Sequence, residues 1–162
     1  MMRSLIGTWR GLLWVLALVL PGVLLTACSG NGTGSGVPDG SAKLKQYYIA
    51  GEGLYVKHCS NCHRADGKGL GLLYPPVDTS DYMNEHFADV LYLMRYGKAG
   101  ELVVNGKHFN KIMPGNAALT NLEVAEIATY LYNTWGRSRG LVDVREAAVV
   151  LDTAKAPVHG SR

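Results

Sequence analysis

Cys59-Ser60-Asn61-Cys62-His63 is the most informative segment of this 162-residue chain. Two thiols three positions apart, followed directly by an imidazole, form the pattern of a c-type haem attachment site. The spacing has a chemical reason, because each thiol can add to one vinyl group of the haem while the adjacent histidine ligates the iron. The motif therefore predicts one covalently bound haem c, held by Cys59 and Cys62, with His63 as an axial iron ligand.

The two motif cysteines have two other interpretations. A thioredoxin-like redox pair should lie within a βαβ pattern, whereas an amphipathic helix pattern precedes Cys59 here. A structural zinc site needs four ligands, and Cys28 is the only other cysteine of the chain. Both interpretations are therefore weaker than haem attachment.

The N-terminal segment has the pattern of an export signal. Arg3 and Arg10 precede an apolar run over residues 12–25, which is short for a spanning helix of about 20 apolar residues. The run ends in Leu-Thr-Ala-Cys, which resembles the lipobox of bacterial lipoproteins, in which the signal is cleaved before the Cys and that Cys carries lipid. The resemblance implies a signal peptide over 1–27 and a lipidated Cys28, and an uncleaved membrane anchor is the alternative.

The composition divides the rest of the chain into a tether, a domain and a tail. Residues 28–40 are rich in Gly and Ser, which predicts a flexible tether. A domain is predicted over 41–136, a size at which a bound cofactor often completes the hydrophobic core, and a tail follows over 137–162. Without Arg3 and Arg10 the formal charge falls from +3 to +1, so the composition gives no argument for nucleic-acid binding.

Apolar spacing and caps predict three helices in the domain, and a pattern compatible with a short helix in the tail. They run from Ser41 to about His58, from Thr79 or Ser80 to Gly97, from Thr120 to Gly136, and over residues 142–151. Asn105-Gly106, between residues 102–104 and 107–109, predicts a hairpin with a type I′ turn. Thr120 and Glu123 form a capping box at the start of the last domain helix.

From residue 47 to residue 136 the chain resembles a class I c-type cytochrome. In that family a helix leads into the haem motif, with a Gly and an aromatic residue at four-residue intervals before the first Cys. Gly51 and Tyr55 occupy these positions. The loop over 64–69 is similar to the usual loop of the family, although Arg64 stands where a Gly is common.

The resemblance also implies a second axial ligand. Ile112-Met113-Pro114 resembles the loop that supplies it, so Met113 is the expected sixth ligand. Met83 and Met94 lie on an apolar helical stripe, where methionine more often fills the core. In this family a proline carbonyl in the loop after the motif holds the ligand histidine, and Pro75 is the matching position. His/Met ligation raises the reduction potential of a haem compared with harder ligand pairs.

The implied fold is all-α, a class I cytochrome c fold of three to five helices around one covalent haem, with a small β-hairpin insertion. The implied function is electron transfer by a membrane-tethered carrier, exported and lipid-anchored to a bacterial membrane facing the periplasm or the cell exterior. A cytochrome subunit of a dehydrogenase or of a terminal oxidase or reductase complex is the alternative. A haem peroxidase is a third reading, but it needs an open sixth position, so a carrier is expected rather than an enzyme.

The charged residues around the motif indicate what kind of redox partner the protein could bind. Lys57, His58, Arg64 and Lys68 cluster near the thioether positions, with Asp66 among them. A basic rim would steer a redox partner with an acidic docking surface and speed the encounter. A solvated face without a partner is the ordinary alternative, because isolated surface charges contribute little.

Overall fold

A computed structural model describes residues 37–153 of the chain. The predicted signal peptide over 1–27, the lipidated Cys28, most of the tether and the end of the tail lie outside these residues. Within the described range, no helix combines the length and the apolar character that crossing a membrane requires.

Six helices and two short antiparallel ribbons make up the described residues. The helices are α1 Ala42–His58, α2 Ser60–His63, α3 Asp81–Glu85, α4 Phe87–Tyr96, α5 Asn121–Leu131 and α6 Val144–Thr153. The strands are β1 Gly97–Lys98, β2 Leu102–Val104, β3 Lys107–Phe109 and β4 Met113–Pro114, with β1 paired to β4 and β2 paired to β3. The predicted all-α fold with a small hairpin is confirmed, with one helix more than the three to five expected.

α1 follows its sequence pattern. Ser41 caps the helix by accepting a hydrogen bond from the Leu44 amide at 3.2 Å. The predicted face of Leu44, Tyr48, Gly51 and Tyr55 is buried. Side chains at three- and four-residue spacing share one side of a helix, and Tyr48 and Tyr55 of this face belong to the same core as the buried residues of α5.

α1 and α5 cross closely at Gly51. A Cβ at this position would overlap the backbone oxygen of Glu126 and lie 2.9 Å from the Cβ of Tyr130, so only glycine permits the approach. Beside the crossing, the Tyr130 ring contacts Tyr55 at 5.4 Å and Trp135 at 5.8 Å between ring centroids. These aromatic contacts fix the two helices and thereby orient the end of α1, where the haem motif begins.

The middle helix is interrupted, where the sequence predicted one continuous helix up to Gly97. The chain leaves the helical conformation at His86, with φ −124° and ψ 52°, between α3 and α4. In a continuous helix the Met83 carbonyl would accept from the amide four residues later. Here it accepts from the Tyr132 hydroxyl at 2.7 Å, so a side chain that follows α5 completes the end of α3.

α5 begins as predicted and ends earlier. The Glu123 amide donates to Oγ1 of Thr120 at 3.2 Å, and the Thr120 amide donates to the Glu123 carboxylate at 2.8 Å, which completes the capping box. The helix ends at Leu131, and Trp135, predicted on its last turn, has a left-handed conformation with φ 52°. The Trp135 ring lies against Gly67 in the loop after the haem motif, a contact that a continued helix would not provide.

The hairpin forms as predicted. Asn105 and Gly106 both have positive φ, 52° and 68°, as a type I′ turn requires. The side-chain oxygen of Asn105 accepts from the Asp81 amide at 3.0 Å, and the Asn105 amide donates to the Asp81 carboxylate at 2.8 Å. These two hydrogen bonds hold the hairpin against the start of α3.

The tail segment packs on the domain. Val142, Ala147 and Leu151 are buried in the same core as the faces of α1 and α5. The Asn133 side chain donates to the Gly140 carbonyl at 2.8 Å and accepts from the Gly140 amide at 2.7 Å. The tail has the helix that its pattern allowed, and this helix, α6, docks against α5 and α4.

Candidate haem site

The haem motif lies at the junction of α1 and the one-turn helix α2. The His63 amide donates to the Cys59 carbonyl at 2.9 Å, and the Arg64 amide donates to the Ser60 carbonyl at 2.8 Å. Arg64 then leaves the helix with φ 65°, a left-handed conformation that glycine adopts at the least cost. This backbone geometry accounts for the glycine that is common at the position where this chain has Arg64.

The Cys59 thiol is a neutral group at the end of α1. Burial raises its pKa to about 11, and the neighbouring Cys62 adds to the rise. Before any covalent attachment the thiol therefore stays protonated at neutral pH and packs beside the core.

His63 is oriented by Pro75. The Nδ1 atom of His63 lies 3.0 Å from the Pro75 carbonyl oxygen, and since a carbonyl only accepts, Nδ1 carries the proton and donates. Nε2 is then left with its lone pair, the form in which imidazole binds a metal. Burial lowers the pKa of His63, against the opposing effect of the Pro75 hydrogen bond, so the neutral ring is favoured.

Backbone hydrogen bonds fix the loop that carries Pro75. The Gly69 amide donates to the His63 carbonyl at 3.0 Å, and the Val77 amide donates to the Gly67 carbonyl at 2.7 Å. A Cβ on Gly69 would lie 2.6 Å from the Pro75 carbonyl oxygen. The loop therefore needs glycine there to bring the Pro75 carbonyl to the histidine.

Met113 reaches the site from the short strand β4, where the sequence predicted a loop. It pairs antiparallel with Lys98 of β1, and a Cβ on the neighbouring Gly97 would overlap the Met113 carbonyl oxygen. Shortly after the strand, the Asn116 amide donates to the Met94 carbonyl at 3.0 Å. Met113 is therefore held by backbone pairing to the end of α4.

Three open clefts meet at the motif. His63 and Met113 border all three, whereas each of the other lining residues borders one or two. Cys59 and Cys62 border one cleft together and one further cleft each. The two predicted axial ligands therefore share one space, with both thiols at its edge.

The clefts fit a flat apolar cofactor with acidic substituents. Their apolar lining includes Leu73, Leu93, Leu102, Val104, Phe109 and Leu131. Arg95 follows the cleft residue Met94 in α4, and its Nε is a buried donor without a hydrogen-bond partner among residues 37–153. A haem propionate is an acceptor of the kind that this nitrogen lacks. Two thiols, an imidazole and a thioether at an apolar cleft are the groups that haem c requires.

The other methionines of the domain and the neighbouring histidine, which could in principle replace Met113 as iron ligand, each border only one or two of the three clefts. Met94 is 7% exposed and borders two clefts, and Met83 is 4% exposed and borders one. His58 borders one cleft, and its Nδ1 lies 3.4 Å from the side-chain nitrogen of Asn116. Their positions agree with packing at the wall of the site.

Sequence reasoning missed several lining residues. Lys98 is 8% exposed and borders a cleft, and its ammonium donates to the Ala99 carbonyl at 3.2 Å. Burial lowers the pKa of Lys98. Leu102 and Phe109, predicted only as hairpin residues, line clefts as well. No local signal marks these positions, because the Asp81 contact that brings the hairpin to the site is a tertiary one.

The net positive charge of the basic residues around the motif is smaller than their number indicates. Lys57, His58 and Lys68 are exposed. Arg64 is exposed as well, but it forms an ion pair with Asp66 at 3.2 Å between nitrogen and oxygen. The net charge of this rim therefore rests mainly on the two lysines.

Known proteins resemble this chain across the site. The family model described as Cytochrome c matches residues 48–135. The cytochrome c subunit of the quinone alcohol dehydrogenase of Gluconacetobacter polyoxogenes is 27% identical over 117 residues, which cover 70% of this chain and 24% of that subunit. Cytochrome c-552 of Thermus thermophilus is 27% identical over 95 residues, which cover 55% of this chain and 70% of that protein. The chain thus spans about a quarter of the length of the dehydrogenase subunit.

Proposed function

We propose that this chain, which belongs to the cytochrome c family, transfers electrons on a covalently bound haem c. His63 and Met113 would be the axial iron ligands, and Cys59 and Cys62 the thioether links. One observation above all supports this ligand set, namely that within residues 37–153 only His63 and Met113 border all three clefts at the motif. The family indicates an electron carrier or a dehydrogenase subunit rather than an enzyme by itself.

The proposed ligands explain how electron transfer proceeds with little movement. Bound haem c supplies a one-electron couple. The Pro75 carbonyl holds the Nδ1 proton of His63 and so fixes the ring orientation, while the β1–β4 ribbon holds Met113. With His63 and Met113 both bound to the iron, the coordination would stay the same in both oxidation states, and no position would be open for peroxidase chemistry.

Optical spectra of Met113→Ala test the ligand assignment. The variant should lose the low-spin, sulfur-ligated ferric spectrum, and its reduction potential should fall, because the soft thioether favours the reduced iron. Met83→Ala and Met94→Ala are the controls, since both side chains also line the clefts, and they should keep sulfur ligation. Loss of the sulfur signature in Met94→Ala with retention in Met113→Ala would show that the assignment is wrong.

We propose further that the chain is exported and anchored through a lipidated Cys28, with residues 28–40 as the tether. The lipobox-like sequence supports this, and covalent haem attachment takes place outside the cytoplasm in bacteria. Several acyl chains on one residue anchor far more firmly than a single chain. Cys28→Ser should therefore move the haem-stained protein of a bacterial host from the membrane fraction to the soluble one, and its retention in the membrane would contradict the proposal.

The proposed partner is a redox protein with an acidic docking surface. Lys57 and Lys68 are exposed near the motif, and Leu73 and Ile112, exposed by 45% and 64%, border a cleft that both axial ligands share. Electrostatic steering raises association rates and weakens with salt. The double variant Lys57→Glu/Lys68→Glu should slow oxidation by anionic hexacyanoferrate(III) at low ionic strength. Lys45→Glu with Arg145→Glu, which makes the same charge change at exposed positions of α1 and α6, should slow it less.

A cytochrome subunit within a dehydrogenase complex is the second candidate, because relatives of this chain include dehydrogenase cytochrome c subunits. Mild cross-linking before detergent extraction distinguishes the two. A haem-stained band that travels with an enzyme at fixed stoichiometry would establish a subunit. A haem-stained band that migrates alone would establish a free carrier.

A further inference from the structure

Arg137 lies beyond the residues that match the cytochrome c family, 48–135, and reaches back toward the haem site. Its Nη1 donates to the Val77 carbonyl at 2.9 Å, and its Nε donates to the side-chain oxygen of Asn84 at 3.1 Å. A longer contact of 3.4 Å joins Nη2 to the Ser80 carbonyl. The guanidinium thus spans three acceptors that are far from it in sequence.

Two of these acceptors belong to the segment over 75–80, which also holds His63. At its start, the Pro75 carbonyl accepts from Nδ1 of His63 at 3.0 Å. Two residues on, the Val77 amide donates to the Gly67 carbonyl at 2.7 Å, and the Val77 carbonyl is the nearest of the three acceptors of Arg137. The segment is therefore fixed on one side by the loop after the motif and on the other by Arg137.

The geometry points to Arg137 as a positioning residue, which keeps the Pro75 carbonyl in place against His63 and so helps to set the reduction potential of the haem. The physical reason is that the partner of a ligating imidazole fixes its orientation and raises its basicity. A more basic histidine stabilises the ferric iron, so a loosened Pro75 contact should raise the potential. The inference rests on the proposed function, in which His63 is an iron ligand.

Arg137→Lys separates this role from the effect of charge. Lysine keeps the positive charge but cannot span separated acceptors as the planar guanidinium does. Arg139→Lys is the matched control: Arg139 lies two residues further on, stacks on Phe87 at 3.7 Å and forms an ion pair with Glu146. Within the described residues, no hydrogen bond or ion pair joins Arg139 to the segment over 75–80.

The experiment measures the solvent exchange of the Nδ1 proton of His63 by NMR in the reduced holoprotein, together with the midpoint potential. We expect Arg137→Lys to speed this exchange roughly tenfold through easier local opening. We also expect Arg137→Lys to raise the ratio of reduced to oxidised protein about threefold at a fixed solution potential. This corresponds to a rise of about 30 mV in the midpoint potential for one electron. Arg139→Lys should leave both quantities at their wild-type values.

A second variant covers the case in which Arg137→Lys fails to fold. Asn84→Ala removes only an exposed acceptor of Arg137, and it should shift both quantities in the same direction by a smaller amount. Unchanged exchange and unchanged potential in the folded variants would overturn the inference and leave Arg137 as a tail contact. Failure of the ligand proposal would be seen separately, because the His63 ring protons of the wild type would then lack the large shifts of a haem ligand.

Discussion

Gly69 is the residue on which the approach of Pro75 to His63 depends. It has φ 63°, and a Cβ there would lie 2.6 Å from the Pro75 carbonyl oxygen. A left-handed alanine alone costs about 1–2 kcal/mol, and overpacking against fixed backbone adds about 1–3 kcal/mol. We expect Gly69→Ala to lower the free energy of unfolding of the holoprotein by the sum of both effects, measured by denaturant titration of the haem absorbance.

Gly71→Ala is the control for this prediction. Gly71 has φ 54°, and a Cβ there would meet no atom within 4 Å. Gly71→Ala should therefore lower the free energy of unfolding only by the cost of the left-handed alanine backbone. Equal losses in the two variants would mean that the loop adjusts without strain, and that the close approach at Gly69 is not required.

For single residues, the sequence predicts the haem-binding side chains better than it predicts the residues that surround them. Cys59, Cys62 and His63 follow from one short motif, because covalent attachment imposes their spacing. Lys98 carries no comparable signal: its burial and its place beside Met113 arise from a two-residue strand pairing.

Among the elements, the crossing of α1 and α5 is the most sensitive to side-chain size. Gly51→Ala would place a Cβ against the backbone of Glu126, whereas Gly53, on the same helix, has no atom within 4 Å of its ideal Cβ. We expect Gly51→Ala to destabilise the protein by about 1–3 kcal/mol. Gly53→Ala should stabilise it by about 0.5–1 kcal/mol, because alanine is the better helix former. A neutral Gly51→Ala in thermal denaturation would contradict the close crossing.

The capping box of α5 gives a pH dependence with a defined sign. Hydrogen bonds from the Thr120 amide and hydroxyl lower the pKa of Glu123. A folded pKa below the unfolded one means that the carboxylate adds stability above its ordinary value of 4.5 and loses it as pH falls through the lower folded value. Glu123→Gln should therefore destabilise the protein at neutral pH, and the difference from wild type should shrink below about pH 4.

Glu126 on the same helix should behave in the opposite way. Its pKa is raised, mainly by burial, so its charged form costs stability above the unfolded pKa, and Glu126→Gln should stabilise the protein at neutral pH. Denaturant midpoints across a pH series check both variants. Shifts of the same sign would refute this account of the two carboxylates.

The break in the middle helix shows why the ends of helices could not all be predicted from the sequence. The apolar stripe through Met83 and Met94 is continuous in sequence, and no Gly or Pro interrupts it. The interruption at His86 coincides with the bond from the Tyr132 hydroxyl to the Met83 carbonyl. A partner from the far end of the domain thus replaces a helical hydrogen bond.

For the molecule as a whole, the docked tail predicts one cooperative unit. Leu151 is 5% exposed in the common core, whereas Val149 of the same helix is 62% exposed. We expect Leu151→Ala to lower the free energy of unfolding by about 2–5 kcal/mol and Val149→Ala by less than about 0.5 kcal/mol. The haem absorbance and the helical circular dichroism should shift together, and a separate early transition in the circular dichroism alone would show that the tail unfolds independently.

The haem motif, the hairpin turn and the caps of α1 and α5 could be predicted from the sequence, because each depends on residues within a few positions of one another, and the all-α class followed from the resemblance to a family. Three features could be seen only in the folded chain: His63 and Met113 share one space, α6 docks on the core, and Arg137 reaches the segment that carries Pro75. These contacts join residues far apart in sequence, and their geometry depends on how the helices pack.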